Sequence, residues 1–269
     1  MLFQRLRHLD FTLLLATIPV ICAGLISMYA FIGQNQYFEK QIFWVIISFA
    51  VAIGISLFDL RALRRSNVIL GIFLFFCAAL LMLFLVGSVF KGARGWFNLG
   101  FFAIQPADPM KVVLVLMLAK YFSRRHIEIA HFKHIFVSGL YAMVPFLLVL
   151  VQPDFGSAII LFAIWFGMTI VSGISKKHLV IVFGAGIIAF LGMWFFVLQP
   201  YQQARIKTFI HPLTDIRGAG YNAYQSTIAV GSGELLGKGI GFGTQSRLKF
   251  LPEYQTDFIF ASFAEEWGF

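Results

Sequence analysis

The chain has 269 residues, of which 59% are apolar and 12% charged, against about 45–50% and about 25% in an ordinary soluble domain. Its 33 phenylalanines, and several apolar runs longer than the roughly 18 residues that mark a membrane-crossing helix, exclude a soluble globular protein, a disordered tail, a disulfide scaffold and a coiled coil. The net charge of +9 says nothing about partners until the basic residues are placed relative to a bilayer.

Apolar stretches bounded by charges or turn residues predict spans near 11–33, 41–58, 67–87, 109–122, 135–151, 156–173 and 178–199, with an eighth beginning near 257. The first reads as a retained helix, because further spans follow it and it lacks a small-residue cleavage site. Cys22 and Cys77 lie inside spans and read as small core residues, without a disulfide framework or a metal site. Arg5, Arg7, Arg61, Arg64, Arg65, Arg124, Arg125, Lys133, Lys176 and Lys177 flank alternate ends of the spans, while the intervening short loops hold Lys40, Lys91 and Arg94. Lys and Arg accumulate on the cytoplasmic side, so the N-terminus is expected inside and the long segment 200–256 outside. Topology accounts for the basic residues, and nucleic acid is not expected as a partner.

His8, His126, His131, His134 and His178 fall at the predicted cytoplasmic ends of spans. They read as polar helix-end residues, since no cysteine or carboxylate set completes a metal site. Gly237, Gly239, Gly241 and Gly243 in GKGIGFG look superficially like a phosphate loop, but the Gly-Lys-Ser/Thr ending is missing. The carboxylates are more informative. Asp108, Asp154, Asp215, Glu234, Glu253, Asp257, Glu265 and Glu266 all lie in the predicted outer half or in the last span. Ionisable groups at membrane depth usually face a bundle interior or a water-filled cavity, so a polar cavity opening outward is expected. Asp108 and Lys111 share a helix face and could pair, either as a structural anchor or with the Lys111 ammonium left to meet an anionic ligand. Arg205, Lys207, Arg217, Lys238, Arg247 and Lys249, set among glycines and aromatics in segment 200–256, suit phosphates or lipid headgroups; singly, all but Arg205 and Lys238 read rather as ordinary solvated loop charges.

Four segments carry a resemblance: GARGWFNLG at 92–100, QPADPMK at 105–111, QPDFGSA at 152–158, and GYNAYQSTIAVGSGELLGKGIGFGTQSRLKFLPEYQTDFIFASFAEEWGF at 220–269. In this order and at these span ends they resemble the SEDS family (shape, elongation, division and sporulation), and within it the RodA branch through GTQSRLKFLPE rather than the FtsW branch. The resemblance covers essentially the whole chain, which would form a single transmembrane domain over 1–269. It implies an all-α, polytopic helical bundle of about ten spans, of which this chain would hold seven and part of an eighth and so read as C-terminally truncated. The large outer loop would join spans seven and eight.

The resemblance further implies a peptidoglycan glycosyltransferase of the bacterial cytoplasmic membrane. Such an enzyme polymerises lipid II outside the membrane for cell elongation and rod shape. Its partners would be a class B penicillin-binding protein, the elongation machinery and the surrounding lipids. The family's proposed catalytic Asp falls on Asp257, where the carboxylate pattern independently places a charge at the outer mouth of a span. A base there favours a partly desolvated carboxylate. Lys111, Arg205 and Lys238 are candidates for the negative charge on the leaving pyrophosphate, and Gln225 and Ser226 for neutral hydrogen bonds to sugar or pyrophosphate. Trp96 suits interface anchoring or a sugar contact. Glu253 would tune Asp257 or cap its loop, and Asp108 and Asp154 would line the charged cavity. Gly156 and Ser157 suit a tight interhelical turn. Two departures stand out: Arg94 is one place earlier than the family's Arg before Trp, and Asp108 replaces its Glu. No cofactor is required by the sequence, although a divalent cation, Mg or Mn, is compatible with a pyrophosphate substrate. The rival readings are a lipid II flippase and a noncatalytic scaffold. Charge confined to span ends and the absence of a clear internal repeat favour the enzyme over the flippase.

Overall fold

The computed structural model describes residues 11–29, 35–57, 60–90, 93–98, 100, 103–123, 132–173, 175–196, 198–211, 215–218 and 220–268. Seven helices answer the seven predicted spans: α1 (Phe11–Tyr29), α2 (Asn35–Leu57), α3 (Ser66–Val86), α4 (Ala107–Ser123), α5 (Phe132–Val151), α6 (Phe155–Val171) and α7 (Lys176–Phe196). Within them Phe11–Tyr29, Tyr37–Leu57, Ser66–Val86, Lys133–Val151 and Lys177–Phe196 are long and apolar enough to cross a membrane, and α6 is a shorter apolar helix. The protein is a multi-pass membrane protein with an all-α fold. α4 falls outside the strictly apolar set because Asp108, Lys111 and Lys120 lie on it.

The chain forms two compact units, Asp59–Phe190 and the pair of segments Met1–Phe58 and Leu191–Phe269. In the first of these, α3 packs on α4 and α5, and α6 on α4 and α5, around fully buried Leu80, Leu83, Met110, Leu114, Leu118, Val149 and Leu161. Lipid is as apolar as leucine, so such helices are held by close packing and interhelical hydrogen bonds. Both are present. A Cβ on Gly139 of α5 would stand 3.3 Å from the Trp165 ring of α6, and buried Gln152 donates from Nε2 to the Leu80 carbonyl at 2.8 Å. Between α3 and α4 the chain forms three short antiparallel strands, β1 (Ser88–Phe90), β2 (Ala93–Asn98) and β3 (Ala103–Ile104), in the order β1-β2-β3. The sequence reading expected only a loop there; the turn-rich stretch is too short to show a period of two.

In the other unit α1 packs on α2, and the segment expected as a long loop is about half helical. It holds α8 (Pro200–Ile210), α9 (Tyr221–Ser232) and α10 (Thr244–Arg247), followed by α11 (Ile259–Trp267), which packs on α1 and α9. α8 starts where Pro200 supplies the fixed φ of a first helical residue, inside a capping box closed by Gln199 and Gln202. Ala229, Leu251, Tyr254 and Ala261 form this unit's small buried core.

Candidate functional site

Asp257 stands at the end of a tight reversal between α10 and α11. Glu253 adopts a left-handed backbone with φ 52°, and its carbonyl accepts the N–H of both Thr256 and Phe258, each at 3.1 Å. The Thr256 hydroxyl donates to Glu253 Oε2 at 2.9 Å. Leu251, Tyr254 and Gln255 are buried; burial, then the nearby Tyr37 phenol, pushes the Tyr254 hydroxyl above its ordinary range. With those three side chains turned inward, Glu253, Thr256 and Asp257 are turned out. The Asp257 carboxylate is exposed and makes no hydrogen bond or ion pair among the described residues.

Two expectations are refined here. Asp257 does not lie in the first turn of the last helix but two residues before it, because the Phe258 N–H is taken by the Glu253 carbonyl and the helical bonds begin with Ser262 N to Phe258 O at 3.1 Å. Its carboxylate is open rather than partly desolvated in the chain by itself. Of the two roles left open for Glu253, the geometry shows it closing the turn.

The glycine-rich segment after α9 has a definite task. Its backbone crosses the end of α11, where Lys238 N donates to the Glu265 carbonyl and Gly239 N to the Glu266 carbonyl, both at 3.0 Å. Glu265, wholly buried, accepts at Oε1 from Lys238 Nζ at 2.9 Å, Gln245 N at 3.0 Å and Thr244 Oγ1 at 3.1 Å. At Oε2 it accepts from Ser246 Oγ at 3.2 Å and Ser246 N at 3.3 Å. Lys238 Nζ also donates to Thr244 Oγ1 at 2.8 Å. Glu266 Oε1 accepts from Gly241 N at 3.0 Å. The close approach requires glycine: Gly237 has φ 71°, and a Cβ there would stand 2.2 Å from the Glu266 carbonyl oxygen. The ammonium assigned on sequence to the pyrophosphate is therefore engaged with a buried carboxylate of its own chain. Glu265 and Glu266 were placed in the last span but given no role; the signal was two adjacent carboxylates in an apolar helix, which need partners to be buried.

In the same unit Arg205 is exposed on α8 with its guanidinium carbon 6.0 Å from the Tyr201 ring centroid. Ser226 Oγ donates to the Ala223 carbonyl at 2.8 Å, so its hydroxyl proton is used within α9. Among the described residues four buried side-chain atoms lack a hydrogen-bond partner, Ser27 Oγ, Gln225 Oε1, Gln245 Oε1 and Glu266 Oε2. All four belong to the unit that carries Asp257. Buried polar atoms are normally paired, so this unit keeps hydrogen-bonding capacity for water or a ligand.

The remaining candidates lie in the other unit. Lys111 Nζ pairs with Asp108 Oδ1 at 2.8 Å, with Asp108 the more exposed partner. Asp154 caps α6: Oδ1 accepts from Ser157 N at 3.0 Å, and Oδ2 accepts from Gln105 Nε2 at 2.7 Å. Its carboxylate thus joins the QPADPMK and QPDFGSA segments. Gly156 and Ser157 form the first turn that this cap needs. Trp96 is half-buried in β2, its carbonyl accepting from Ser88 Oγ at 3.0 Å. Arg94 lies in β2, with its side chain outside the described part. His8, His126 and His131 are outside the described residues; His134 is buried, with Nδ1 3.0 Å from the Tyr121 hydroxyl. No group of three or more His, Cys, Asp or Glu that could hold a metal ion occurs among the described residues.

Comparison with known proteins agrees with this architecture. A family model described as cell cycle protein, for FtsW, RodA and SpoVE, matches residues 6–269. The chain is 33% identical over 272 residues to stage V sporulation protein E of Bacillus subtilis (strain 168), covering 97% of this chain and 73% of that protein. It is 34% identical over 265 residues to the peptidoglycan glycosyltransferase MrdB of Escherichia coli (strain K12), covering 97% and 70%. Among solved structures, a chain of a peptidoglycan synthase complex described as coordinating polymerization and crosslinking has a TM-score of 0.75 at 24% identity, over 97% of this chain and 72% of that one. A mutant of the rod shape determining protein RodA of Thermus thermophilus has a TM-score of 0.58 at 20% identity, over 91% and 87%. These two structures show the shared fold.

Proposed function

We propose, since the chain belongs to the family of cell cycle proteins that includes FtsW, RodA and SpoVE, that it is a peptidoglycan glycosyltransferase: it polymerises lipid II on the outer side of the bacterial cytoplasmic membrane and works with a class B penicillin-binding protein in the elongation machinery. The observation that carries the reading is Asp257, an exposed carboxylate without a protein hydrogen bond among the described residues, held on a turn whose other side chains are anchored in the core. A scaffold has no need of such a group.

Asp257 accepts the proton of the 4-hydroxyl of the acceptor's N-acetylglucosamine. The freed oxygen forms a bond to the anomeric carbon of the donor sugar, and the bond from that carbon to the pyrophosphate oxygen breaks, so that undecaprenyl pyrophosphate leaves with the electron pair. The substrate itself would supply the desolvation a general base needs, by covering a carboxylate that is open in the free chain. Arg205, which belongs to the same compact unit as Asp257, remains a candidate for the developing charge on the pyrophosphate. Lys238 acts at one remove, holding the segment beneath the turn through Glu265. A divalent cation, Mg or Mn, would neutralise pyrophosphate oxygens, with the exposed Glu253 carboxylate as a protein donor beside Asp257.

The test is lipid II polymerisation by the purified full-length protein with its penicillin-binding partner, on a gel that resolves glycans. Asp257→Asn is expected to lower polymer by at least about 10²-fold, the usual scale of a general base, while its melting temperature stays that of the wild type. Near-normal polymer from the mutant would move the base elsewhere, and no polymer from folded wild type would return the flippase and scaffold readings.

A further inference from the structure

Beside the Asp257 turn lies a pocket of about 340 Å³ that the reading so far does not use. One wall is the start of α2, where Tyr37, Lys40, Gln41 and Trp44 recur at the three- and four-residue spacing of a single helix face. The lining also includes Gln255 and Thr256, the two residues immediately before Asp257. Met28 at the end of α1 and Ile259 at the start of α11 contribute the apolar lining. All of these residues belong to one compact unit.

Two features point to an amphiphilic, phosphate-bearing ligand. Lys40 lies inside Tyr37–Leu57, a stretch long and apolar enough to cross a membrane, and its ammonium has no ion pair or hydrogen bond among the described residues. Exposed and in the first turn of that stretch, a lysine can extend its ammonium to the polar boundary of the bilayer, where lipid phosphates lie. The face from Tyr37 to Trp44 spans about 10 Å along the helix at 1.5 Å per residue, so it runs from a phenol at the membrane boundary, through an ammonium and an amide, to an indole one turn deeper. That gradient matches a headgroup that passes into a hydrocarbon tail.

We infer that this pocket is a substrate subsite: it takes the phosphate-bearing headgroup of a polyprenyl-linked sugar, with Lys40 on the phosphate, Gln41 and Gln255 on neighbouring polar groups, and Trp44 with Met28 beside the first isoprene units. The inference rests on the glycosyltransferase reading above for its substrate class. Lys40 is a binding residue that the sequence motifs left aside, and it was counted there only as one of three basic residues on the sparse side of the membrane.

The test uses full-length protein with its penicillin-binding partner, as wild type, Lys40→Gln and Lys40→Arg, matched for melting temperature. Polymerisation is followed against lipid II concentration, and binding is measured separately in nanodiscs of phosphatidylcholine, with lipid II or with added phosphatidylglycerol as the probe. Lys40→Gln is expected to raise both KM and the Kd for lipid II about tenfold, the scale of one charge-assisted hydrogen bond, with a smaller change in kcat and substantial recovery in Lys40→Arg. Unchanged KM and Kd in Lys40→Gln would overturn the subsite while leaving the enzyme in place. An effect on phosphatidylglycerol alone would also overturn it, assigning Lys40 to bulk anionic lipid. Lys40-dependent binding of lipid II by a wild type that makes no polymer would keep the subsite and defeat the glycosyltransferase reading instead.

Discussion

The buried pair of Lys238 and Glu265 offers the most direct test of how the Asp257 turn is supported. Glu265 is wholly buried and its two oxygens accept five hydrogen bonds, from Lys238 Nζ, Thr244 Oγ1, Gln245 N, Ser246 N and Ser246 Oγ. Glu265→Gln keeps the shape but removes the charge and turns one acceptor into a donor. If the new amide nitrogen takes the Oε2 place, the Ser246 hydroxyl can reverse its role, but the Ser246 backbone N–H, 3.3 Å away, cannot. If it takes the Oε1 place, it meets the Lys238 ammonium and the Gln245 N–H. Breaking a buried pair from one side costs about 3–5 kcal/mol. Lys238→Met leaves the wholly buried Glu265 carboxylate four hydrogen bonds but no counter-charge, a loss on the same scale. At about 2–4 °C per kcal/mol for a protein of this size class, Glu265→Gln and Lys238→Met should each melt about 10 °C below wild type. The double variant should lose less than the sum of the two, since the residues are in contact. The assay is thermal unfolding of the full-length protein in detergent, read by tryptophan fluorescence. A Glu265→Gln protein melting within about 1 °C of wild type would refute the cradle as a support. Lys238→Met also separates the two roles of the lysine: well below its melting temperature, an unchanged KM for lipid II makes it a support, and a raised one restores the direct pyrophosphate contact expected from sequence.

Three further outcomes follow from local geometry. Asp154→Ala removes the cap of α6 and the Gln105 bond together. It should cost about 1–2 kcal/mol, seen as a melting temperature lower by a few degrees, whereas Asp154→Ser should recover part of this because serine also caps. Gly237→Ala places a Cβ at a positive φ against the Glu266 carbonyl, and its yield of monodisperse protein should collapse. Gly184→Ala, in α7 with nothing within 4 Å of the added atom, should melt no lower than wild type and gain up to about 1 kcal/mol of helix propensity.

The spans were legible because a bilayer imposes one simple demand: a helix long enough, apolar enough, and without backbone groups left over. That demand is written locally, and the predicted and observed helices accordingly agree to within four residues, as between 67–87 and Ser66–Val86, except that α2 begins at Asn35, six residues before the predicted 41, and so takes in Lys40. Segment 200–256 is under no such demand. Its helices α8 and α9 carry Gln, Tyr, Arg and Asn among their apolar residues, so a reading based on apolar length passes over them, although Pro200 at a helix start was a visible signal. Side-chain partnerships were less legible still. Lys238 and Glu265 are 27 residues apart, and nothing in the neighbourhood of either names the other. Proximity in sequence suggested a basic residue for the substrate; proximity in space gives it to a buried carboxylate.

The glycine-rich segment shows what kind of inference survives such a change of partner. GKGIGFG looks like a phosphate loop because glycines let a backbone bend until several N–H groups face one anion. That physical content holds here, while the anion differs. Gly241 N, Gln245 N and Ser246 N face the carboxylates of Glu265 and Glu266, so the segment recognises the end of its own last helix. The substrate's phosphate must then be met by groups that the chain has not already paired. Arg205 beside Tyr201 is one candidate, Lys111 shares its ammonium with Asp108, and Lys40 has no partner among the described residues. Of these, Lys40 lines a pocket that also takes in Gln255 and Thr256, directly before Asp257. An ammonium without an ion pair among the described residues, in the first turn of a stretch apolar enough to cross a membrane and lining a pocket that adjoins the exposed Asp257, is the arrangement that a lipid-linked pyrophosphate would complete.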